Sequence, residues 1–311
     1  MIELLFLGTA ASVPSRARGL PALLVQCRKT RLLIDCGEGT QRQLLLSGAG
    51  FKDLRRILLT HGHPDHLLGL GGLVSTMALW RAAQELQIYA GKQPLRLAKR
   101  LLEEIIWPEA APPLALHFNE LQPGELASEG DLEIHVFPVR HRGPDSFGFI
   151  LDERMRWHLD RSKLDHLGVP AGAQRKQLAQ GESIVLADGR QIAPAQVSHE
   201  QRGARVVVIG DCENTEDLVP YVTAADALVI ESTFLARDAD KAQARSHLTA
   251  AQAAHLAAEA GVGQLLLTHV STRYHPNEIQ AEAQAIFPAA QVVDDFSRWQ
   301  IHGQQDHDRQ D

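Results

Sequence analysis

Short apolar runs recur along the chain. Each is closed by polar or glycine-containing turns, and between several of them the apolar positions switch to helical spacing. Residues 2–7 (IELLFL), "ALLVQC" and "TRLLIDCG" read as strands. "RRILLTH" is an apolar strand that delivers His61 at its C-terminal end. Residues 66–79 then read as a helix with Leu67, Leu70, Val74 and Met77 on one face. "LQIYAG" predicts a strand, residues 95–106 a helix, and "LEIHVFPVRH" and "SFGFILDE" two more strands. The second half repeats this grammar. "ARVVVIGD" is a strand ending in Asp211, residues 216–225 a helix, and "ALVIEST" a strand. Residues 248–260 form an alanine-rich helix stopped by Gly261. "QLLLTHV" carries His269 near its end, and a last helix over 277–287 has Pro276 just ahead of it.

Strands alternating with amphipathic helices place the chain in the α/β class, as one domain of two sheets packed face to face with helices outside. Residues 152–202 break the pattern. They are polar, weakly periodic and carry a net charge of +1 against -8 for the remainder, so they predict an inserted, projecting arm. The polar tail "GQQDHDRQD" is expected to fray.

Composition narrows the setting. The 311 residues are 44% apolar and 22% charged, ordinary for a globular protein with a sizeable core. A net charge of -7 gives no bulk attraction to nucleic acid, so an anionic substrate would have to be met by local basic groups or by metal. Cys27, Cys36 and Cys212 are scattered and fit neither a disulfide framework nor a cysteine-rich zinc site, which predicts a reduced, cytoplasmic protein. No apolar stretch approaches the roughly 20 residues of a membrane span, and the N-terminus lacks a basic leader region.

The chemistry concentrates in "THGHPDHLLG". His61, His63, Asp65 and His66 crowd one strand end, and packing rarely demands such a cluster. His141, Asp211 and His269 lie at or near the ends of three other strands. Seven nitrogen and oxygen donors from four segments suit two zinc ions sharing a carboxylate; manganese or iron could use the same set. Any one of these histidines alone would more simply be a surface or structural residue.

"HGHPDH" resembles the HxHxDH signature of the metallo-β-lactamase superfamily. The resemblance implies an αββα sandwich with a dinuclear site between the sheets. One ion would take His61, His63 and His141, the other Asp65, His66 and His269, with Asp211 bridging. Further stretches are similar to the ribonuclease Z family, the tRNA 3′-processing endonucleases. These are "LLFLGTAASVP", "LIDCGEGTQRQLL", "VIESTF" with Glu231, "SHLTAAQAA" with His247, "LLLTHVSTRY", and "LGVPAGAQRKQLAQGESIVLADGRQI" within the insertion. The likeness runs from Met1 to about Trp299. It implies a short-form enzyme and a homodimer in which one subunit's arm presents precursor tRNA to the other's site. Three positions depart from the family pattern: Pro64 stands for glycine, Gly19 for asparagine and Ala173 for proline.

The resemblance further implies roles. Asp65 serves as ligand and orienting base, His247 as proton donor to the leaving 3′-oxygen, and Glu231 as its partner. Asp35 would steady a ligand histidine. Arg16, Arg18, Arg175 and Lys176 would meet substrate phosphates. Cleavage would leave a 3′-OH on the tRNA and a 5′-phosphate on the trailer. The competing function is a general metal-dependent phosphodiesterase for small molecules, which would have no use for a projecting arm.

Overall fold

In the computed structural model, which describes residues 1–109, 112–143 and 145–303, two seven-stranded mixed sheets pack face to face. From residue 304 onward the polar tail lies outside the described residues. One sheet runs in the order Arg298–Ile301, Ile2–Gly8, Ala22–Cys27, Thr30–Ile34, Leu54–Leu58, Glu85–Ala90, Ala115–Glu120. The other runs Ala290–Val292, Leu265–Thr268, Ala227–Glu231, Arg205–Val208, Phe147–Glu153, Leu132–Pro138, Gly124–Glu129. Alternation along the strands explains the two layers of core. Ile2, Leu4 and Phe6 meet Ile134, Phe149 and Val229 between the sheets. Leu5 and Leu7 point the other way, into the core that includes Leu70, Val74 and Met77. Ala253, Ala254 and Ala257 join the core beyond the second sheet.

Each sheet contributes neighbouring strands whose C-terminal ends share one edge. Thr30–Ile34 runs parallel to Leu54–Leu58. Arg205–Val208, Ala227–Glu231 and Leu265–Thr268 are mutually parallel. Chain leaving these strands therefore emerges on a common rim, the usual place for an α/β site.

The helix expected over 66–79 is two: Pro64–Leu67 and Leu70–Leu79. The break is at Gly69. Its N–H donates to the Cys36 carbonyl at 2.9 Å, and a Cβ there would lie 2.0 Å from the Gly37 carbonyl oxygen. Residues 95–106 also divide, into an α-helix Lys92–Lys99 and a π-helix Arg100–Ile106. Of the helix expected over 216–225 only Val219–Val222 forms. The helix Ala250–Glu259 starts where Thr249 caps it, with Gln252 completing a reciprocal capping box.

Between Phe147–Glu153 and Arg205–Val208 the chain builds three short helices and two two-stranded sheets. Leu164, Val169, Leu178, Ile184, Ile192 and Val197 form a core of its own there. The strands flanking it pair antiparallel, Asp152 opposite Arg205. All three cysteines are free and buried. No described helix is long and apolar enough to cross a membrane.

Gly69→Ala should be among the most damaging single-methyl changes, because backbone oxygen blocks the new Cβ. We expect a loss of about 1–3 kcal/mol or more in urea unfolding; a loss within error of zero would show that the Gly37–Gly69 contact can relax.

Candidate metal centre

The rim collects the side chains singled out in the sequence. His61, His63, His141 and Asp211 form one group, and Asp65, His66 and His269 a second beside it. His61 and His63 lie just past Leu54–Leu58, and Asp65 and His66 sit on the short helix Pro64–Leu67. Pro64 occupies the first helical position, where an N–H is not needed, so the departure from glycine costs no hydrogen bond. His141 comes from the connection after Leu132–Pro138, Asp211 from that after Arg205–Val208, and His269 directly follows Leu265–Thr268. His61, His66, His141, Asp211 and His269 are buried; His63 and Asp65 are partly exposed.

Hydrogen bonds fix the rings. Thr60 Oγ1 donates to Asp35 Oδ2 at 2.9 Å, so it can only accept from His61 Nδ1–H at 3.0 Å. Asp35 also accepts from His66 Nδ1–H at 2.8 Å. His141 Nδ1–H donates to the Ser246 carbonyl at 2.8 Å. Thr233 Oγ1 donates to Glu231 and accepts from His269 Nδ1–H at 2.8 Å. In all four histidines Nδ1 is committed to an oxygen acceptor, so Nε2 is the nitrogen left facing inward, where a metal would take its lone pair.

The inward atoms converge. His63 Nδ1 is 2.9 Å from His61 Nε2 and 3.2 Å from His141 Nε2. Asp211 Oδ2 lies 3.6 Å from His61 Nε2 and 3.8 Å from His141 Nε2. On the other side Asp211 Oδ1 is 3.4 Å from His66 Nε2 and 3.2 Å from His269 Nε2, while Asp65 Oδ2 is 3.6 Å from each. Donors bound to one tetrahedral zinc at about 2.0–2.2 Å lie about 3.3–3.6 Å apart; the second set, at 3.2–3.6 Å, matches closely, and the first, at 2.9–3.8 Å, spans that range. His66 Nε2, His269 Nε2 and Asp211 Oδ1 are buried without a hydrogen-bond partner. Three such orphans facing one another would be costly without a shared cation.

The electrostatics differ from ring to ring. Burial pushes His66 down, but the charges of Asp211 and Asp35 outweigh it and hold its pKa well above the ordinary value. Burial lowers His61 and brings His141 down to about 4. Burial also opposes ionisation of Asp211, yet His269, His66 and His61 hold it well below the usual carboxylate range. His247 stands at the edge, its Nδ1 3.0 Å from Glu231 Oε1. Burial lowers its pKa, but Glu231, by charge and hydrogen bond, leaves it raised overall.

With the geometry in view, similarity can be weighed. Ribonuclease Z of Bradyrhizobium diazoefficiens is 51% identical over 297 residues, covering 95% of this chain and 98% of that one. Ribonuclease Z of Archaeoglobus fulgidus is 35% identical over 305 residues, covering 97% and 98%. The chain belongs to the ribonuclease Z family. Residues 2–171 also match the family model of anti-Pycsar protein Apyc1, so that half falls within the Apyc1 family too. That stretch ends before Asp211, Glu231, His247 and His269. The crystal structure of human tRNase Z, short form, is 25% identical and superposes with a TM-score of 0.68, covering 96% of this chain and 99% of that one. The metallo-β-lactamase fold protein YhfI from Bacillus subtilis, 19% identical with a TM-score of 0.69 and coverages of 96% and 98%, shares the fold.

As a ribonuclease Z relative, the chain was expected to meet substrate through four basic residues, and they separate. Arg16 is exposed at the tip of the loop after Ile2–Gly8. Arg18 is buried and turned inward. It donates to Thr9 Oγ1 and the Val293 carbonyl, each at 2.6 Å, and pairs with Asp294. Arg175 is likewise engaged, donating to the Val169 carbonyl and to Asp165 Oδ1, both at 2.7 Å. Both cations hold chain segments together, Arg18 from a buried place and Arg175 from a partly exposed one. Lys176 is exposed. Sequence reasoning missed Thr60, Thr233 and the Ser246 carbonyl. The repeated "LLTH" flags Thr60, but the part it plays for His61 is taken for His269 by Thr233, 36 residues away.

Asp211→Ala removes the one carboxylate within reach of both groups. Elemental analysis of protein purified without chelator should find about two metal ions in the unsubstituted chain. It should find far fewer in this variant, with a larger loss than for any single histidine change. Equal losses throughout would deny Asp211 a bridging place.

Proposed function

We propose that this protein is a metal-dependent endoribonuclease that removes the 3′ trailer of precursor tRNA. The observation that carries the reading is the set of inward-facing Nε2 atoms around an orphaned Asp211 oxygen, in a chain of the ribonuclease Z family. His61, His63 and His141 would hold one ion and Asp65, His66 and His269 a second, with Asp211 between them; donors of this type suit zinc. The ions would supply Lewis acidity towards the phosphoryl oxygens and an activated water.

The chain's own groups supply the rest. Asp65 accepts from the Ser12 N–H at 3.1 Å, which orients its carboxylate for ligation and for a hydrogen bond to the attacking water. His247, whose pKa Glu231 raises against the pull of burial, donates to the leaving 3′-oxygen. The products are tRNA with a 3′-OH and a trailer with a 5′-phosphate. Incubation with a 3′-extended precursor, mapping the cut to the nucleotide, tests the reading. Hydrolysis of small phosphodiesters without any cut in the precursor would favour the general phosphodiesterase instead.

The segment between Phe147–Glu153 and Arg205–Val208 is assigned as the tRNA-binding arm, with Lys176 among its exposed cations, in a cytoplasmic homodimer. Leu46, Leu79 and Trp80, exposed by 57%, 80% and 58% on two neighbouring helices, support a partner surface.

His247→Ala should lower turnover on precursor tRNA by roughly 10²-fold or more with metal content intact. On a nitrophenyl phosphodiester, whose leaving group needs no proton, much of that loss should vanish. An equal loss on both substrates would mean that His247 binds or shapes rather than donates.

Replacing residues 156–201 by a short turn is feasible because the flanking strands already pair. This shortened subunit, mixed and reassembled with His247→Ala subunits, should regain precursor cleavage that neither has alone. No regain would place each arm in service of its own subunit, or dismiss the dimer.

A further inference from the structure

Beside His63 and His141 the rim opens into a cavity of about 140 Å³ whose walls include Gln93, Arg142 and Ser146. Arg142 is exposed, and among the described residues it has no acidic partner. One of its nitrogens, Nη2, donates to the Arg245 carbonyl at 2.7 Å. The remaining N–H groups are left to the cavity. Its backbone sits at φ 34, outside the comfortable range of an L-residue.

A left-handed backbone here carries a cation without an acidic partner to the wall of an open cavity. An anion entering that cavity supplies the partner. The proposed substrate supplies such anions at a fixed spacing, because the phosphates on either side of the scissile one must lie close to the metal-ligand cluster. We propose that Arg142 binds a backbone phosphate next to the scissile linkage and so sets the path of the RNA strand through the site. The tether to Arg245 serves this role. His141 Nδ1 binds the Ser246 carbonyl and Arg142 the Arg245 carbonyl, so ligand, phosphate clamp and the segment leading into His247 are fixed as one unit. Gln93 and Ser146 offer neutral hydrogen-bonding groups on the same wall.

This inference rests on the endonuclease reading, and the test keeps the two apart. Precursors carrying a single uncharged methylphosphonate at each linkage around the cut are compared in the unsubstituted protein and in Arg142→Gln. With the natural substrate, Arg142→Gln should lower kcat/KM about tenfold or more and flatten the salt dependence by about 0.7 of a logarithmic unit, as for one lost contact to a single strand. At one flanking linkage the methylphosphonate should impose its loss on the unsubstituted protein but add little in Arg142→Gln. Arg142→Lys, which keeps the charge, should recover part of the affinity and the salt slope. Metal content and thermal unfolding identify a variant that has merely lost its fold, and Arg142→Lys then carries the same cycle. Additive losses at every linkage, with an unchanged salt slope, would overturn the proposal and leave Arg142 as a tether for Arg245. If the unsubstituted protein does not cut the precursor at all, it is the endonuclease reading that fails.

Discussion

The centre depends on where four protons sit. His61, His66, His141 and His269 each give the Nδ1 proton to a fixed oxygen, through Thr60, Asp35, the Ser246 carbonyl and Thr233. A histidine whose Nδ1 lacked an acceptor could place its proton on Nε2 and turn an N–H into the cluster, where no metal could use it. The hydroxyls make this arrangement directional. Thr60 and Thr233 each have one proton, and each spends it on a carboxylate, Asp35 or Glu231. Reversing one of these bonds would strand a carboxylate oxygen in a buried place.

That requirement reaches into the backbone. The acceptors must stand at strand ends of both sheets, and the chain must turn sharply after each strand to present them. Of the eleven non-glycine residues with positive φ among the described residues, four are Asp35, Arg142, Ser246 and His269. Each is a residue of the centre or is directly bonded to one. Such conformations persist where surrounding structure determines them. Here the paired parallel strands and the Thr249–Gln252 capping box do so, the latter anchoring the chain two residues after His247. Gly69 serves the same end from below, since only its missing side chain lets the Asp65–His66 turn seat against Gly37.

The sandwich was legible because both faces of its strands are covered, which leaves continuous apolar runs such as "RVVVI" and "LLFL" that periodicity detects easily. Its weaker strands were not. Gly124–Glu129 and Arg298–Ile301 are edge strands with polar sequences, and their pairing is a tertiary fact. The helix at 66–79 hid its break because Leu67 and Leu70 keep helical spacing across it, while the cause lies at Cys36 and Gly37. The ligand cluster could be read from crowding in "HGHPDH" and from histidine and aspartate at strand ends. The hydroxyls and carbonyls that orient it could not, since a threonine among many carries no mark of its partner. Arg18 and Arg175 carry the same limit: the family resemblance implies phosphate contacts, and their bonds to the Val293 and Val169 carbonyls have no mark in the sequence.

A net charge of -7 looks unfavourable for an RNA-binding protein, and the arrangement of charges explains why it is not. Much of the acidity is already matched at short range: Asp152 by Arg205, Glu278 by Arg237, Glu3 by Arg298. The carboxylates of the centre face histidines and would face cations. Arg142 is an exposed cation on the cavity wall, Arg16 is exposed on the loop after Ile2–Gly8, and exposed lysine recurs on the inserted segment at Lys163 and Lys176. At physiological salt the Debye length is about 8 Å, so an approaching phosphate responds to these neighbours and little to acids on the far side of the sandwich. The chain can therefore stay acidic as a whole while single exposed cations stand at the cavity beside the centre and on the inserted segment.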